Sequence, residues 1–538
     1  MGLLLVFGLA APAFHHDLWN PDEPRIANLA QGMLEYGHWL LPSVNGELFV
    51  EQPPLQSWLV AACMAVFGHG FGKDWVPRIP SIIFGIGVLW LVLRAARRYS
   101  GANAGILAAV CLCTTIEFVV GFHRAIVDTS LTFFVTLAML QLLEALRRGE
   151  APSWKEALVL GLAGGLSFLA KNLIGVTFIG LVFLALALRH RSIFLSRTSC
   201  LRLGVALILG LLVPLPYLAT AAAEDPNVLR ILLVDNTVGR FFRSDIHNPP
   251  FFEFAHRMLG VLMPWIAVAL VIHLRSIRRW WQQKDNESDR ILEGLFWWTV
   301  LPMLLVQCSG SKREIYLLPV TPAIALTAGI WLNAHWESRA FKRAAWICIA
   351  LCAPLAPLTG LLGGVWGQAL PTEVWAILVL HLAILYSCVR RRLWRVSRAP
   401  FGVAALLLLT SVCAGTLVYY RAENVRQSYV SLCRDLDTFR QDGLKIVGFR
   451  LPLRERSAIP YYLQENIPDL QDETELEEVF AAGASPTALV SREPIPERLT
   501  TKPHSEYRVR RRIYVYLNTS ENLEALGATP TPGSEISD

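Results

Sequence analysis

The stretch from Ile79 to Arg98, IPSIIFGIGVLWLVLRAARR, determines the fold class of this chain. It carries no charged side chain up to Leu93, and it ends on Arg94, Arg97 and Arg98. A helix that crosses the hydrocarbon core of a bilayer needs about 20 consecutive, mainly apolar residues. The stretch therefore predicts a transmembrane helix with a basic cluster at one end.

The same pattern recurs through most of the chain. Of the 538 residues, 54% are hydrophobic and only 17% are charged, a composition that excludes an ordinary soluble globular protein. A short opening segment, Leu3 to Phe14, precedes the longer apolar runs. We therefore expect a mostly α-helical polytopic membrane protein with about 13 transmembrane helices, the longer ones at 79–98, 102–121, 127–146, 156–172, 173–189, 203–221, 254–274, 291–308, 315–333, 344–364, 371–389 and 400–420.

Basic residues predict the orientation of these spans. Six loops rich in Lys and Arg alternate strictly with loops that are poor in them, and cytoplasmic loops carry the excess of positive charge. The loops 15–78 and 222–253, and everything after Tyr420, are then expected outside. Leu55 to Phe67 is apolar but too short to span, so it predicts an interfacial helix. A signal peptide is the alternative for the opening segment, although that segment lacks a charged start.

The composition divides the chain into domains. Residues 1–420 form the predicted transmembrane domain, with 15–78 as an external catalytic loop, and 421–518 predict a small external α/β domain. Its expected strands are Leu444–Phe449, Thr487–Val490 and one alternating strand at Tyr507–Leu517, with a helix from Thr474 to Ala482 capped by Thr474 and Glu477. The tail 519–538 is rich in Thr, Pro, Ser and Glu, which predicts disorder.

Charge and cysteine content exclude two other classes of protein. The net charge of +6 could suit nucleic acid, but the basic residues cluster at helix ends, where membrane topology accounts for them. Ten cysteines are scattered without a CxxC pair, and Cys433 stands alone in the C-terminal region. A disulfide framework or a zinc knuckle is therefore not expected.

Two acidic motifs lie in the first external loop. Asp22-Glu23-Pro24-Arg25 follows the opening segment, and Glu51-Gln52-Pro53-Pro54 comes about 26 residues later. Asp22 and Glu23 could simply supply acids to the first turn of a surface helix, with Arg25 as their neutralising partner. The two prolines after Gln52 fix the backbone, however, and would hold the Glu51 carboxylate in place. We therefore expect a candidate active site here.

Further charged residues lie at the outer ends of predicted spans. Asp128 begins a long apolar helix and could pair with Arg124 at i, i+4 spacing, or it could face a water-filled cavity. Lys171 lies between two tightly linked spans and could simply extend toward the interface. Arg240 lies in the next external loop. Lys312 and Tyr316 lie at the outer end of another predicted span.

Together these residues collect cations on a face that is otherwise poor in Lys and Arg. The cations expected there, beside the carboxylates, are Arg25, Arg124, Lys171, Arg240, Lys312 and Arg313. Cations grouped at a lipid surface suit an anionic head group such as a phosphate or pyrophosphate.

Four ordered elements resemble a known family. Asp22-Glu-Pro-Arg25, Glu51-x-Pro-Pro54, Arg124-x-x-x-Asp128 and Ser311-Lys312 with Tyr316-x-x-Pro319 are similar to motifs of bacterial protein-mannosyltransferase-like proteins. Within that group the strongest resemblance is to the lipid A aminoarabinose transferases of glycosyltransferase superfamily C, over residues 15–330.

The resemblance implies roles for individual residues. Asp22 would be the principal catalytic carboxylate, Asp128 a second one, and Glu51 a third group in the same cavity. Glu23, Arg25, Gln52, Arg124, Lys171, Arg240, Lys312 and Tyr316 would bind substrate. Glu51 with His247 could hold a divalent metal ion, although two ligands are too few for a convincing site.

One residue departs from the family pattern. The second motif usually reads Glu-Lys-Pro-Pro, and here Gln52 replaces the lysine. The lysine is expected to meet the carrier phosphate, so its loss weakens the prediction of that contact. A glutamine can donate a hydrogen bond but supplies no charge, and charge-assisted bonds are roughly twice as strong as neutral ones.

The sequence thus predicts a membrane glycosyltransferase of the bacterial inner membrane with a periplasmic active site. It would move a sugar from a polyprenyl-phosphate carrier to a lipid A-like or other envelope acceptor, and would act as a monomer without nucleic acid. The alternatives are a transporter or flippase of lipid-linked sugars, a protein O-mannosyltransferase-like enzyme, and an inactive homologue. Ionisable groups concentrated at one face, rather than near the midplane, favour the enzyme over the transporter.

Overall fold

A computed structural model describes residues 10–19, 21–242, 249–281, 286–335, 337–358, 372–391, 399–479, 485–496 and 503–518. His247, most of the opening segment and the predicted disordered tail 519–538 therefore lie outside the described residues. Helices dominate the described chain. They are, in chain order, α1 Asp22–Tyr36, α2 Leu55–Phe67, α3 Ile79–Ser100, α4 Ala102–Cys113, α5 Ile116–Phe122, α6 Val127–Arg148, α7 Trp154–Lys171, α8 Leu173–Arg189, α9 Arg191–Phe194, α10 Arg197–Leu212, α11 Leu215–Glu224, α12 Asn227–Arg230, α13 Arg240–Phe242, α14 Phe251–Val261, α15 Trp265–Trp281, α16 Glu287–Cys308, α17 Thr321–His335, α18 Arg339–Cys352, α19 Thr372–Arg390, α20 Ala399–Gln427, α21 Val430–Gln441, α22 Leu453–Leu463 and α23 Glu473–Val479.

Short helical segments and strands complete the inventory of the described residues. Ile231–Gly239 forms a π-helix, and Ala11–Phe14, Val76–Arg78 and Glu314–Val320 form 3₁₀-helices. The strands are β1 Ser43–Val44, β2 Glu47–Leu48, β3 Lys445–Phe449, β4 Asp469–Leu470, β5 Thr487–Ser491, β6 Ser505–Val509 and β7 Arg511–Leu517.

The chain is a polytopic membrane protein, as its composition predicts. Among the described residues, 7 helices are long and apolar enough to cross a membrane, or up to 9 if each of two bent pairs counts as one span. The bent pairs are α4 with α5, at 70°, and α14 with α15, at 103°, and they occupy the predicted spans 102–121 and 254–274. The mostly helical prediction is confirmed, and the count of 13 spans stays a prediction.

The described chain separates into two compact units. Of the described residues, the membrane unit comprises those within 1–14, 50–56 and 78–419, and the sheet unit comprises those within 15–49, 57–77 and 420–538. The core of the membrane unit is apolar side chains from its packed helices. Trp298 is fully buried there, and its indole Nε1 donates to the Pro319 carbonyl at 3.0 Å.

Local sequence explains the ends of the helices that carry the site. Helix α6 has Asp128 in its first turn and Arg147 and Arg148 in its last, which complements the helix dipole, and Gly149 ends it in the left-handed conformation. Helix α7 starts with a capping box between Ser153 and Glu156. Asp128 and Lys171 therefore lie at helix ends whose positions in the chain are well defined.

The sheet unit contains a five-stranded mixed sheet in the order β4-β3-β5-β7-β6. Strand β3 pairs in parallel with β4 and β5, and β7 pairs antiparallel with β5 and β6. The expected strands at Leu444–Phe449 and Thr487–Val490 are confirmed with small shifts. The single strand predicted at Tyr507–Leu517 is wrong, because Arg510 adopts a positive φ of 56° and turns the chain into the β6–β7 hairpin.

The predicted cap of the last helix is also wrong. Helix α23 already includes Glu473, so Thr474 lies within its first turn. The Glu475 carboxylate instead accepts the backbone N–H of Gln471 at 3.0 Å. A glutamate in the first turn of the helix therefore satisfies a backbone donor that lies just before the helix.

Candidate functional site

The junction between α7 and α8 in the membrane unit buries a lysine. Lys171 ends α7, Leu173 begins α8, and only Asn172 separates them. Lys171 is 8% exposed, so the sequence-based alternative that its side chain extends to the interface is wrong.

Lys171 forms a buried ion pair with Asp128. Its Nζ atom lies 2.5 Å from Asp128 Oδ1 and 4.1 Å from the centroid of the Tyr316 ring. Asp128 is 4% exposed and belongs to the first turn of α6. A charge is stable in such a place only when a partner compensates it, and here both an anion and an aromatic face do so. Three residues predicted separately as site residues are therefore in direct contact.

A second ion pair joins Glu51 to Arg240, which begins α13. The Glu51 side chain is 13% exposed and that of Arg240 is 44% exposed. The Nδ2 atom of Asn236 donates to the Val50 carbonyl at 3.3 Å, so the segment that carries Glu51 is also held from the π-helix. The Glu51 motif thus meets a cation that the sequence places in another loop.

A cavity of about 410 Å³ lies at these residues. Five predicted site residues line it, namely Glu51, Gln52, Lys171, Arg240 and Tyr316. The remaining lining combines polar and apolar side chains: Asn172, Leu173, Ile174, Thr177, Asn236, Thr237, Val238, Phe241, Phe242, Leu305, Val306, Ser309 and Ser311. A lining that combines cations with aliphatic and aromatic side chains suits an amphiphile with an anionic head.

The first acidic motif belongs to the sheet unit. Arg25 Nη2 lies 2.8 Å from Asp22 Oδ1, and the Arg25 guanidinium lies 5.6 Å from the centroid of the Phe49 ring. Asp22 is 7% exposed and begins α1, as the sequence predicted. Glu23 is fully buried and accepts the backbone N–H of Trp19 at 2.9 Å. Glu23 therefore fixes the entry of α1, whereas Asp22 forms a charge pair at its start.

The other predicted residues occupy less central places. Within the described ranges, Arg124 and Lys312 are half-buried and are not part of the cavity wall, although Ser311 beside Lys312 is. For the metal hypothesis, His247 lies outside the described residues, and Glu51 is engaged by Arg240. No three His, Cys, Asp or Glu side chains of the described chain could hold a metal ion together. Because His247 is not among the described residues, the metal site of Glu51 and His247 stays a prediction.

Sequence reasoning missed two residues of this region. Glu117, in α5, is 5% exposed and lies within electrostatic reach of Asp128, Glu314, Arg124 and Arg313. A single acid inside the apolar run 102–121 was the signal that could have revealed it. Asn172 gave no signal of its own, since its distinctive features are its backbone angles and its place on the cavity wall.

Comparison with protein families places this chain near lipid-linked sugar transferases. The family of dolichyl-phosphate-mannose-protein mannosyltransferases matches residues 51–217. An undecaprenyl phosphate-alpha-4-amino-4-deoxy-L-arabinose arabinosyl transferase of Pseudomonas fluorescens is 28% identical over 336 residues, which cover 61% of this chain and 58% of that protein. The transferase of the same name from Pectobacterium carotovorum is 24% identical over 357 residues, which cover 64% of this chain and 61% of that protein. This chain thus matches about three fifths of the length of these relatives.

Solved structures show the same fold. ArnT of Cupriavidus metallidurans bound to undecaprenyl phosphate aligns over 96% of this chain and 97% of its own, with a TM-score of 0.76 and 19% identity. The archaeal oligosaccharyltransferase AglB of Archaeoglobus fulgidus aligns over 91% and 68%, with a TM-score of 0.50 and 13% identity. The resemblance predicted from the motifs is confirmed.

Proposed function

We propose that this protein is a membrane glycosyltransferase that takes a sugar from a polyprenyl-phosphate carrier and passes it to a lipid A-like or other envelope acceptor. The observation that carries the proposal is the cavity of the membrane unit, where Lys171 and Arg240 stand on the same wall as apolar side chains. The names of the relatives support undecaprenyl phosphate as the carrier and an aminoarabinose as the sugar.

The charges of the cavity explain how a carrier phosphate would bind. In the structure, Lys171 is neutralised by Asp128 and Arg240 by Glu51. An entering phosphate would share both cations, since Lys and Arg each have further donors for a second anion. Phe241 and Leu305, which also line the cavity, would contact the first isoprene units. The cavity thus offers its ligand both ionic and apolar contacts.

Transfer requires departure of the carrier phosphate from the anomeric carbon. Positive charge develops on the sugar and negative charge on the phosphate, and fixed cations stabilise the leaving group. Lys171 and Arg240 would supply this stabilisation. Asp128, in contact with Lys171, would hold the ammonium in place and balance its charge when the cavity is empty.

A carboxylate on the acceptor side would orient or deprotonate the incoming group. We assign that role to Asp22 on the strength of its motif, with Arg25 as its ion-pair partner. Attack opposite the leaving phosphate would invert the anomeric centre. Where the acceptor is itself a phosphate, as on lipid A, a strong base is not needed, and Asp22 would mainly position the acceptor.

The finer architecture belongs to the same proposal. Thirteen spans would put Asp22, Glu51 and Asp128 on the periplasmic side of the bacterial inner membrane. Residues 1–420 would form the transferase domain and 421–518 a periplasmic α/β domain, in a monomeric protein. The positive-inside pattern of the loops supports this arrangement.

The test is transfer by the purified, full-length protein in lipid vesicles. Undecaprenyl-phosphate-linked 4-amino-4-deoxyarabinose and lipid A are supplied, and the lipid A products are measured by mass spectrometry. The wild type should add one sugar, and Asp22→Asn should abolish the addition while the protein still inserts and folds. Normal turnover by Asp22→Asn would overturn the catalytic assignment. Transfer of the sugar to an added acceptor peptide instead of lipid A would favour the protein O-mannosyltransferase-like alternative. Movement of the donor lipid across the bilayer without transfer of its sugar would favour the flippase.

A further inference from the structure

Asn172 joins α7 to α8 in a backbone conformation that residues with side chains rarely adopt. Its φ is +60° and its ψ is −148°, a combination found essentially only in glycine. Such a conformation costs free energy and persists only where the surrounding structure imposes it, which is common at binding sites. A residue other than glycine at this junction therefore requires a reason in its side chain.

The side chain of Asn172 is buried and only half satisfied. Asn172 is 5% exposed, and its Nδ2 donates to the Leu232 carbonyl in the π-helix. This bond sets the orientation of the amide, because a carbonyl oxygen can only accept. In the part of the chain that the structure describes, the Oδ1 atom has no hydrogen-bond partner. A buried acceptor without a donor is costly, so the same residue carries both backbone strain and an unsatisfied oxygen.

The position of Asn172 limits what could satisfy this acceptor. Asn172 is part of the cavity wall, between Lys171 and Leu173. A carrier-linked sugar phosphate offers no N–H or O–H in its prenyl chain or its ionised phosphodiester. Its hydroxyl and amino groups are all on the sugar, next to the phosphate that Lys171 would bind. Within the carrier-linked sugar, only the sugar can therefore bring the donor that Asn172 lacks.

We infer that Asn172 Oδ1 accepts a hydrogen bond from a hydroxyl or amino group of the carrier-linked sugar. Asn172 is then a specificity-determining residue that distinguishes the sugar-loaded carrier from the bare carrier phosphate released after transfer. This inference rests on the proposed function. At pH 8 the bare carrier phosphate is fully ionised, since the second pKa of a phosphate monoester is about 6, and it has no donor to offer.

Two substitutions distinguish the effect of the Asn172 side-chain amide from the effect of its backbone conformation. Asn172→Gly and Asn172→Ala both remove the acceptor, but only the glycine variant relieves the strained φ. With the full-length protein in vesicles at pH 8, both should raise the KM for undecaprenyl-phosphate-linked aminoarabinose about tenfold, the effect of losing one buried hydrogen bond. In both, kcat should change less than threefold and the Kd for bare undecaprenyl phosphate less than twofold. Asn172→Gly should melt at or above the wild-type temperature, and Asn172→Ala below it.

Other outcomes would overturn the inference. Equal losses for loaded and bare carrier would mean that Asn172 acts on the phosphate site. No change for either would mean that water in the cavity satisfies the oxygen. A loss in Asn172→Ala alone would assign the effect to the backbone. Gln464→Gly, at a left-handed position of the sheet unit with a φ of 55° and a ψ of 35°, controls for insertion of a glycine at a positive φ. A wild type that binds bare carrier but transfers no sugar would defeat the proposed function, and this inference with it.

Discussion

Each unit contains a buried ion pair, and the two pairs have different roles. In the sheet unit, Glu455 is fully buried, and its Oε1 accepts from Tyr429 Oη at 2.8 Å and from Arg492 Nε at 2.8 Å. In the membrane unit, Asp128 pairs with Lys171, and Lys171 stands on the wall of a 410 Å³ cavity. The first pair connects helix α22 to the end of strand β5. The second pair includes a residue of the cavity wall, where a ligand could bind.

The difference concerns what each pair can do besides stabilise the fold. Breaking either pair leaves a buried charge without a partner, which costs about 3–5 kcal/mol, whereas neutralising both partners together is often nearly neutral. Stability alone therefore cannot separate the two pairs. Ligand binding can, because Lys171 lines the cavity of the membrane unit.

The largest expected effect follows from neutralising the pair of the membrane unit. The double variant Asp128→Asn/Lys171→Met should lower sugar transfer about 10²–10⁴-fold, because it removes a cation from the leaving phosphate and the carboxylate that orients it. Its melting temperature in detergent should stay near that of the wild type. Transfer within threefold of the wild type would remove both residues from the site.

Breaking the pair of the sheet unit should affect folding instead. Glu455→Gln should lower the unfolding free energy of this unit by about 3–5 kcal/mol, since the Arg492 charge stays buried without its anion. Hydrogen exchange of the β3 and β5 amides would measure the loss. The double variant Glu455→Gln/Arg492→Met should recover most of it. If transfer per folded molecule also fell in the recovered variant, the contrast between the two pairs would fail.

A smaller effect is expected at the more exposed cation of the cavity. Arg240→Gln should weaken the binding of undecaprenyl phosphate about tenfold, because a half-exposed arginine loses part of its effect to solvent. Arg230→Gln is the matched control, since Arg230 lies at the other end of the π-helix, pairs with Asp235 at 3.8 Å and is 76% exposed. The Kd of the control should change less than twofold. Equal losses in both would indicate only a general attraction of basic residues for anionic lipid.

The smallest change should be a gain at Gln52. Because Gln52 lines the cavity without a charge, Gln52→Lys should tighten the binding of undecaprenyl phosphate a few-fold, with the gain shrinking at high salt. Binding isotherms at two ionic strengths would measure it. A clear loss of affinity would instead assign Gln52 a specific role that lysine cannot fill.

Much of this architecture could be predicted from the sequence because hydrophobic length and charge clusters act locally. The break between α7 and α8 falls where the apolar runs predicted it, and the membrane-spanning class follows from composition. The β6–β7 hairpin could not be predicted, since its turn depends on Arg510 adopting a positive φ within an otherwise alternating strand.

The individual residues of the candidate site could be predicted from the sequence, but the ion pairs between them could not. Glu51, Lys171 and Arg240 stood out as charges beside apolar sequence. The i, i+4 spacing suggested Arg124 as the partner of Asp128, whereas the described ion pair of Asp128 joins it to Lys171, 43 residues away. Long-range pairing depends on helix packing, which no local pattern encodes.

The affinity of the full-length protein for undecaprenyl phosphate in lipid nanodiscs tests the central claim most directly. If the cavity of the membrane unit is the carrier site, the wild type binds the lipid, and Asp128→Asn/Lys171→Met binds it at least tenfold more weakly while remaining folded. Equal affinity of the folded variant and the wild type would contradict a carrier site at Lys171.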